Sequence, residues 1–386
     1  MNNISRYISS EKLKSLLLGL FIASNFINRD ISNILLLFIL LICLFDYKQL
    51  EEILLKYKSL LFSIVIFTLW ISIIGFYHNA PLREFDNYYR FLLLVPLLSI
   101  VLNRQALTLI IVLSSIMALT HFINSLPMEN LNRYSGTSNN AITYANILSI
   151  LLVISVYLLP ENKSKLLKQA VLFVSIIILS IILIYTETRG PLIGIVISFV
   201  YLIYYFRNKL ILVSTLLMFL AFITIPNSLY DRVLLLTDID ITKPLETKHT
   251  SSRERLYYLS FGIEKIQGAP ILGIGPQNVE DLMRTNMVKL DIANITARDH
   301  LHNEFIDIAA KFGLVSLLLL LAVYINIYMA CSNDRKSLSI ILLIMLISSQ
   351  LTQSQFAHHQ AISFFIILLY VCMQSPYKDV IKKDKS

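Results

Sequence analysis

The sequence predicts an all-α polytopic membrane protein, with about twelve transmembrane helices and a helical cap on one face. Composition is the first observation. Hydrophobic residues make up 56% of the chain and charged residues 15%, and the mean hydropathy is +0.68. A soluble domain carries about 25% charged residues. The second observation is that the apolar residues come in runs, not in a period of two or 3.6, which marks bilayer-spanning helices. A transmembrane barrel would alternate instead.

The third observation is where the cations fall. The net charge is +8, yet Lys and Arg form no single basic stripe. They sit in short clusters between the apolar runs, as topology determinants do. Nucleic acid is therefore excluded as a partner, and membrane lipids are implied. Cys43, Cys331 and Cys372 lie at or near the ends of apolar runs with no CxxC or metal-like spacing, so neither a disulfide framework nor a zinc site is expected. Asn25, Asn28, Arg29 and Asp30 follow the first apolar run. That run reads as a retained helix, not a cleaved signal peptide.

The runs place helices at 13–28, 31–46, 59–77, 90–103, 105–124, 141–159, 168–186, 190–206, 209–226, 314–331, 337–352 and 359–374. With the N-terminus inside, every inside segment carries a cation: Arg6, Lys12 and Lys14; Lys48, Lys56 and Lys58; Arg104; Lys163, Lys165 and Lys168; Arg207 and Lys209; Arg335 and Lys336; Lys378, Lys382, Lys383 and Lys385. The short outer loops hold isolated cations, Arg29, Arg83, Arg90, Arg133 and Arg189. This asymmetry puts both termini in the cytoplasm. The long polar segment 227–313 then lies outside, where long loops translocate regardless of charge.

That segment lacks the Ser/Gly/Pro bias of a spacer. Arg253–Gln267 has apolar residues at helical spacing after Ser251 and Ser252, which are plausible N-caps. Gly268-Ala269-Pro270 ends the helix, and Gly273, Gly275 and Pro276 form a tight turn. His300–Phe312 reads as a second helix, stopped by Gly313. The chain divides into a bundle (1–226), a loop domain (227–313), and a second bundle with a tail (314–386).

Three cationic positions stand out. Arg189 lies between two apolar runs, near membrane depth, where an arginine must be paired or face water. It is a functional candidate, or an interface arginine that snorkels or pairs with Glu187. Arg253 lies in the first turn of its helix, where backbone N–H groups and a guanidinium converge on an anion; a solvated charge paired with Glu254 is the other reading. Arg255 is a weaker second candidate. His302 is the side-chain type that takes a proton near neutral pH, or a structural histidine at a helix start. On a helix, His300 would point to another side. His358 and His359 lie in a short outer loop near the same mouth. Asp238 and Asp240 form the only tight acidic pair, without a Gly-turn or further acidic partner, so no metal is expected. No nucleotide fingerprint is present, and no cofactor is called for.

Together these residues resemble the O-antigen ligase/O-antigen polymerase superfamily of bacterial inner-membrane proteins. Thr188-Arg189-Gly190-Pro191-Leu192 is similar to the family's helix-end Arg-Gly. Ser251-Ser252-Arg253, then Tyr257, then Pro270-Ile271-Leu272-Gly273-Ile274-Gly275-Pro276 is similar to its second motif, with Tyr257 where Trp is commoner. His302-Asn303 followed by Gly313 is similar to its third. The resemblance implies a GT-C-like glycosyltransferase with a periplasmic cap in the bacterial inner membrane. It implies an undecaprenyl-diphosphate-linked O-antigen donor and a lipid A-core acceptor, used in lipopolysaccharide biosynthesis. It also implies inverting, metal-independent transfer without a cofactor. Arg189 and Arg253 would hold the diphosphate, and His302 would be the base. Arg255, Asn303, Arg90 and His300 would contact substrate. One dominant loop and the His300–Glu304 stretch favour a ligase; a polymerase or a protein-glycosylating ligase is the alternative. A lipid-linked-glycan transporter would need ionisable residues within the spans, which are nearly free of them.

Overall fold

A computed structural model describes residues 2–102, 104–125, 134–138, 140–161, 166–224, 250–289 and 295–373. Arg133, Lys163, Lys165, Asp238, Asp240 and the tail lysines Lys378, Lys382, Lys383 and Lys385 lie outside the described residues, as do the side chains of Arg6, Lys12, Arg29, Ser251 and Ser252.

Among the described residues every regular element is helical. Five helices are long and apolar enough to cross a bilayer: Lys58–Tyr77, Arg104–Ser125, Ala141–Pro160, Leu166–Tyr185 and Asn333–Thr352, the last including a 3-10 turn. Arg29–Phe45 joined to Tyr47–Lys56 makes a sixth if the bent pair counts as one. Leu13–Ser24, Gly190–Phe206, Leu314–Ala330 and His359–Cys372 are apolar but shorter.

The bundle has a centre and a lipid-facing shell. Ala141–Pro160 is 94% buried, whereas Lys58–Tyr77, Arg104–Ser125 and Leu166–Tyr185 are each 44% buried. On Lys58–Tyr77, Ile64, Phe67, Ile71 and Ile74 turn inward, while Phe62, Leu69, Ile73 and Phe76 are exposed. Such large exposed apolar side chains mark a surface solvated by lipid. Hydroxyls within the spans bond back to their own helix: Thr68 to the Ile64 carbonyl, Ser115 to Ile111 and Ser175 to Val171. No polar side chain of these positions is left facing hydrocarbon.

Most expected boundaries fall within a few residues of the structure, and three regions differ. The helix expected at 90–103 is a four-residue turn, Arg90–Leu93, followed by a 3-10 helix, Val95–Ser99. Pro96 is the reason, since it lacks an N–H and its ring clashes with the carbonyl four residues back. Val95 to Ser99 are all buried, and irregular backbone at such depth is tolerated only inside protein. Second, the segment after Phe45, expected as an inside loop, contains a helix, Tyr47–Lys56, turned 90° from its predecessor. Lys14, fully buried, donates to Asp46 at 2.9 Å and to Gln49, whose amide donates to the Ser99 carbonyl. Third, the expected helix from His300 begins only at Glu304.

Among its described residues the polar segment holds three helices, Thr250–Gly268, Val279–Lys289 and Glu304–Phe312. The middle one was not anticipated. Tyr257, Tyr258, Phe261, Val279, Met283, Met287 and Leu301 give them a small core of their own. The first helix starts at Thr250, so Ser251 and Ser252 fall inside it instead of capping it.

A glycine turn fastens this unit to the bundle. The amides of Ile274 and Gly275 donate to the carbonyls of Ala310 and Lys311, at 2.8 and 3.0 Å, and Leu314 donates to the Pro270 carbonyl at 2.8 Å. The Ala310 and Lys311 carbonyls belong to the end of Glu304–Phe312, where helical carbonyls lack intrahelical donors. Such close approach leaves no room for side chains. A Cβ on Gly273 would lie 2.5 Å from the Lys311 carbonyl oxygen, and one on Gly313 would overlap the Ile271 carbonyl. The same turn meets Lys58–Tyr77, because Gln277 donates to the His78 carbonyl and His78 bonds the Leu272 carbonyl. Trp70 Nε1 donates to the Phe312 carbonyl at 3.1 Å.

Candidate functional site

The site is built where the start of Glu304–Phe312 meets the end of Lys336–Thr352. Asn303 is extended, with φ −148°, and its Oδ1 accepts the Ile306 amide as an N-cap. Asparagine is among the strongest N-cap residues. Its Nδ2 donates to the Leu351 carbonyl at 3.1 Å. Its side chain therefore joins the two helix ends. His302, just before it, has φ +54°, a left-handed conformation that β-carbon sterics disfavour outside glycine and asparagine. Non-glycine residues held there cluster at functional sites. Glu187, two residues before Arg189, has φ +49°.

This backbone path overturns one expectation. His300 and His302 are not on opposite sides of a helix. Their rings meet edge-on at 4.6 Å, and His300 also lies 5.8 Å from the His358 ring. The reason is that residues 300–303 are not helical. His302 stacks on Tyr258 at 5.4 Å, with 26° between planes. Tyr258 comes from Thr250–Gly268, so that helix supplies a wall of the histidine group.

Gln353 connects two of the three histidines. Its Oε1 is 2.7 Å from His302 Nδ1, and its Nε2 is 2.6 Å from His358 Nε2. Gln353 is 1% exposed. His300 Nδ1 bonds Asp299 at 2.6 Å, and this hydrogen bond holds the Asp299 carboxyl well below its usual range. Burial lowers His302 to about 4, aided by charge on His300 and by the guanidiniums of Arg255 and Arg298. Burial lowers His358 to about 4 as well, again with His300 contributing. Both rings are thus neutral at physiological pH, with a lone pair to offer.

Beneath the histidines lies a buried acidic layer. Glu304 is fully buried, and its Oε2 accepts the Phe356 amide at 2.9 Å. Asp307 accepts the Leu301 amide and pairs with Lys311 at 2.8 Å. Burial and the Asp307 charge push Glu304 up to about 8. A neutral Glu304 next to a paired Asp307–Lys311 is how carboxyls this close are accommodated without an unpaired charge. Phe356 stacks on Tyr88 at 4.5 Å, and Tyr88 meets Phe312 edge-on.

The cations anticipated from sequence are gathered to different degrees. Arg189 N-caps Gly190–Phe206, and a Cβ on Gly190 would lie 2.6 Å from Thr352 Oγ1. Gly194, one turn on, faces Met345 and Ser348. This small-xxx-small edge lets the two helices approach closely. Arg189 is thereby seated beside Thr352, the neighbour of Gln353. Arg253 and Arg255 lie on the first turns of the helix that carries Tyr258. Arg90 donates through Nε to Asn87 and through Nη1 to Ser363 at 2.8 Å, and Ser363 in turn donates to the His359 carbonyl.

Residues 173–321 match the family model described as O-antigen ligase. That stretch is an O-antigen ligase family domain. It covers less than half of the chain and includes Arg189, Arg253, Arg255, His300, His302 and Asn303. No curated protein matches the chain. Within the O-antigen ligase domain, the structure explains why two of the sequence motifs are inseparable: Pro270–Pro276 and Gly313 are one backbone junction. Gln353, His358 and Arg298 are the residues that motif reading did not assign. The first two lie beyond the matched stretch, and glutamine has no titratable signature to draw attention. His358 was noted for its position in the short outer loop, but nothing in the sequence connected it to His302.

Proposed function

We propose that the protein is a bacterial inner-membrane glycosyltransferase, an O-antigen ligase of about twelve spans whose helical cap and active site face the periplasm and whose termini are cytoplasmic. It transfers a glycan from undecaprenyl diphosphate to a hydroxyl of the lipid A-core. The observation that carries this reading is His302, anchored through Nδ1 to Gln353 and stacked on Tyr258 of the helix that bears Arg253 and Arg255, within the stretch that matches O-antigen ligase.

Each group has a task in that reaction. His302 takes the proton of the acceptor hydroxyl as it attacks the anomeric carbon. Arg189 and Arg253 hold the diphosphate and stabilise the charge that grows on it as the sugar–phosphate bond breaks. Arg255 and His300 line the approach. The donor is already activated, so no ATP, metal or cofactor is required. Substrates borne by lipid enter from the side in this reading, between the cap and the span ends.

A lipopolysaccharide gel from a deletion strain tests the reading. Loss of all long-chain bands with accumulation of lipid-linked glycan supports a ligase. A core bearing a single repeat instead assigns the protein as a polymerase. Complementation by His302→Ala or Arg253→Ala at normal protein levels would remove both assignments.

A further inference from the structure

We propose that Gln353 is a positioning residue for the transfer reaction: its amide fixes the His302 proton on Nδ1, leaving Nε2 as the proton acceptor, and couples that tautomer to the one His358 adopts. The proposal rests on the transferase reading given above, and it deepens that reading.

A primary amide has one end that only accepts and one that only donates. Oε1 of Gln353 faces His302 Nδ1 at 2.7 Å, so that nitrogen must carry the hydrogen. In a neutral imidazole the other nitrogen is then bare. Nε2 of Gln353 faces His358 Nε2 at 2.6 Å, so His358 accepts there. An amide alone could turn over and serve either tautomer. The turned amide requires both rings to change together, with His302 bare at Nδ1 and His358 protonated at Nε2, so Gln353 ties the two tautomers to one another. Gln353 is buried away from bulk solvent, so an amide end that met the wrong tautomer of either ring would be costly. The backbone agrees, since His302 is held at φ +54° between Leu301, whose amide is bound by Asp307, and Asn303, which is bound to Leu351. Ring stacking on Tyr258 fixes the imidazole plane. The charged and titratable groups facing His302 are His300 with its Asp299, Arg255, Arg298, Tyr258 and, through Gln353, His358.

The test begins without substrate. The full-length protein, labelled with 15N-histidine in lipid nanodiscs at neutral pH, gives a nitrogen pair for His302 that is identified by its loss in His302→Asn. A protonated Nδ1 with a bare Nε2 is expected, and the opposite pattern overturns the proposal. Gln353→Glu replaces the amide by a carboxylate, which holds a proton on the imidazole and moves the acid limb of turnover up by about one pH unit or more. Gln353→Met lowers kcat about tenfold or more with little change in KM, measured with a polyprenyl-diphosphate oligosaccharide and lipopolysaccharide core. An unmoved limb together with an unchanged kcat would overturn the positioning role. Two outcomes separate the claims: wild-type protein that transfers no glycan refutes the transferase reading and leaves the tautomer as measured, whereas His302→Ala that transfers glycan normally removes His302 as the base and the positioning role with it.

Discussion

Gly313→Ala is the sharpest test of how the cap is fastened. Gly313 has φ +82° and ψ 166°, a region that only glycine occupies readily, at a cost of about 1–3 kcal/mol for other residues. A Cβ there would also overlap the Ile271 carbonyl. Residues 270–275 must then retreat, and three backbone bonds go with them: Leu314 to Pro270, Ile274 to Ala310 and Gly275 to Lys311. Each is worth about 1 kcal/mol net. Strain and lost bonds together come to about 4–6 kcal/mol. Gly268→Ala is the control. It has nothing within 4 Å of an added Cβ and ends a helix, so alanine there is neutral or stabilising by up to about 1 kcal/mol. Thermal unfolding of the detergent-solubilised protein, followed by tryptophan fluorescence, reads both variants; Trp70 is the single tryptophan and donates to Phe312 at this junction. Gly313→Ala should unfold well below wild type and Gly268→Ala should not. Equal unfolding temperatures for the two would refute the close-approach argument.

Three further outcomes are expected. Because His302 sits near 4 in the free site and is the proposed base, kcat/KM should persist at pH 5.5, where an ordinary histidine is mostly protonated, and fall as pH drops through about 4; a limb near 6.5 in the kcat/KM profile would contradict the burial argument. Glu304 is raised from 4.5 to about 8. The unfolded chain releases that proton first, so stability falls with rising pH across this window, by up to about 1.4 kcal/mol per unit, and the contribution is gone above it. Glu304→Gln should flatten the pH dependence of the unfolding temperature. Arg253→Lys keeps charge but loses the planar fork, and should weaken donor use about tenfold, seen as a raised KM; an unchanged KM would argue for a solvated Arg253.

The helices were legible because apolar runs report burial in lipid whatever the tertiary detail. The run at 90–103 misled for the same reason. Its composition is that of a span, yet one residue, Pro96, decides the backbone. The cap was legible as two helices and a turn, but not how tightly they join, since glycine spacing cannot show which carbonyl the missing Cβ makes room for. His302 could be chosen as a residue type but not oriented. Helical periodicity sent His300 away from it, while a left-handed residue and an asparagine cap bring the two rings together. Gln353 lay beyond reach because its role exists only in the bonds it makes, about fifty residues along the chain from its partner. Glu304 was visible as one carboxylate among several; complete burial raises it, while the His300 hydrogen bond lowers Asp299.

A base near 4 raises a question about strength, because proton transfer improves as the base approaches the working pH. Part of the answer lies in what depresses it. Besides burial and His300, the causes are the guanidiniums of Arg255 and Arg298. A diphosphate is the ligand that such groups neutralise. In the proposed reaction, seating the donor cancels part of the positive field at His302 and adds negative charge nearby, and both changes raise its affinity for a proton. Base strength then follows donor occupancy. The empty site holds a neutral histidine with little pull on a hydroxyl. The loaded site holds the same Nε2, still bare because Gln353 keeps the proton on Nδ1, with a stronger pull at the moment the sugar–phosphate bond is ready to break.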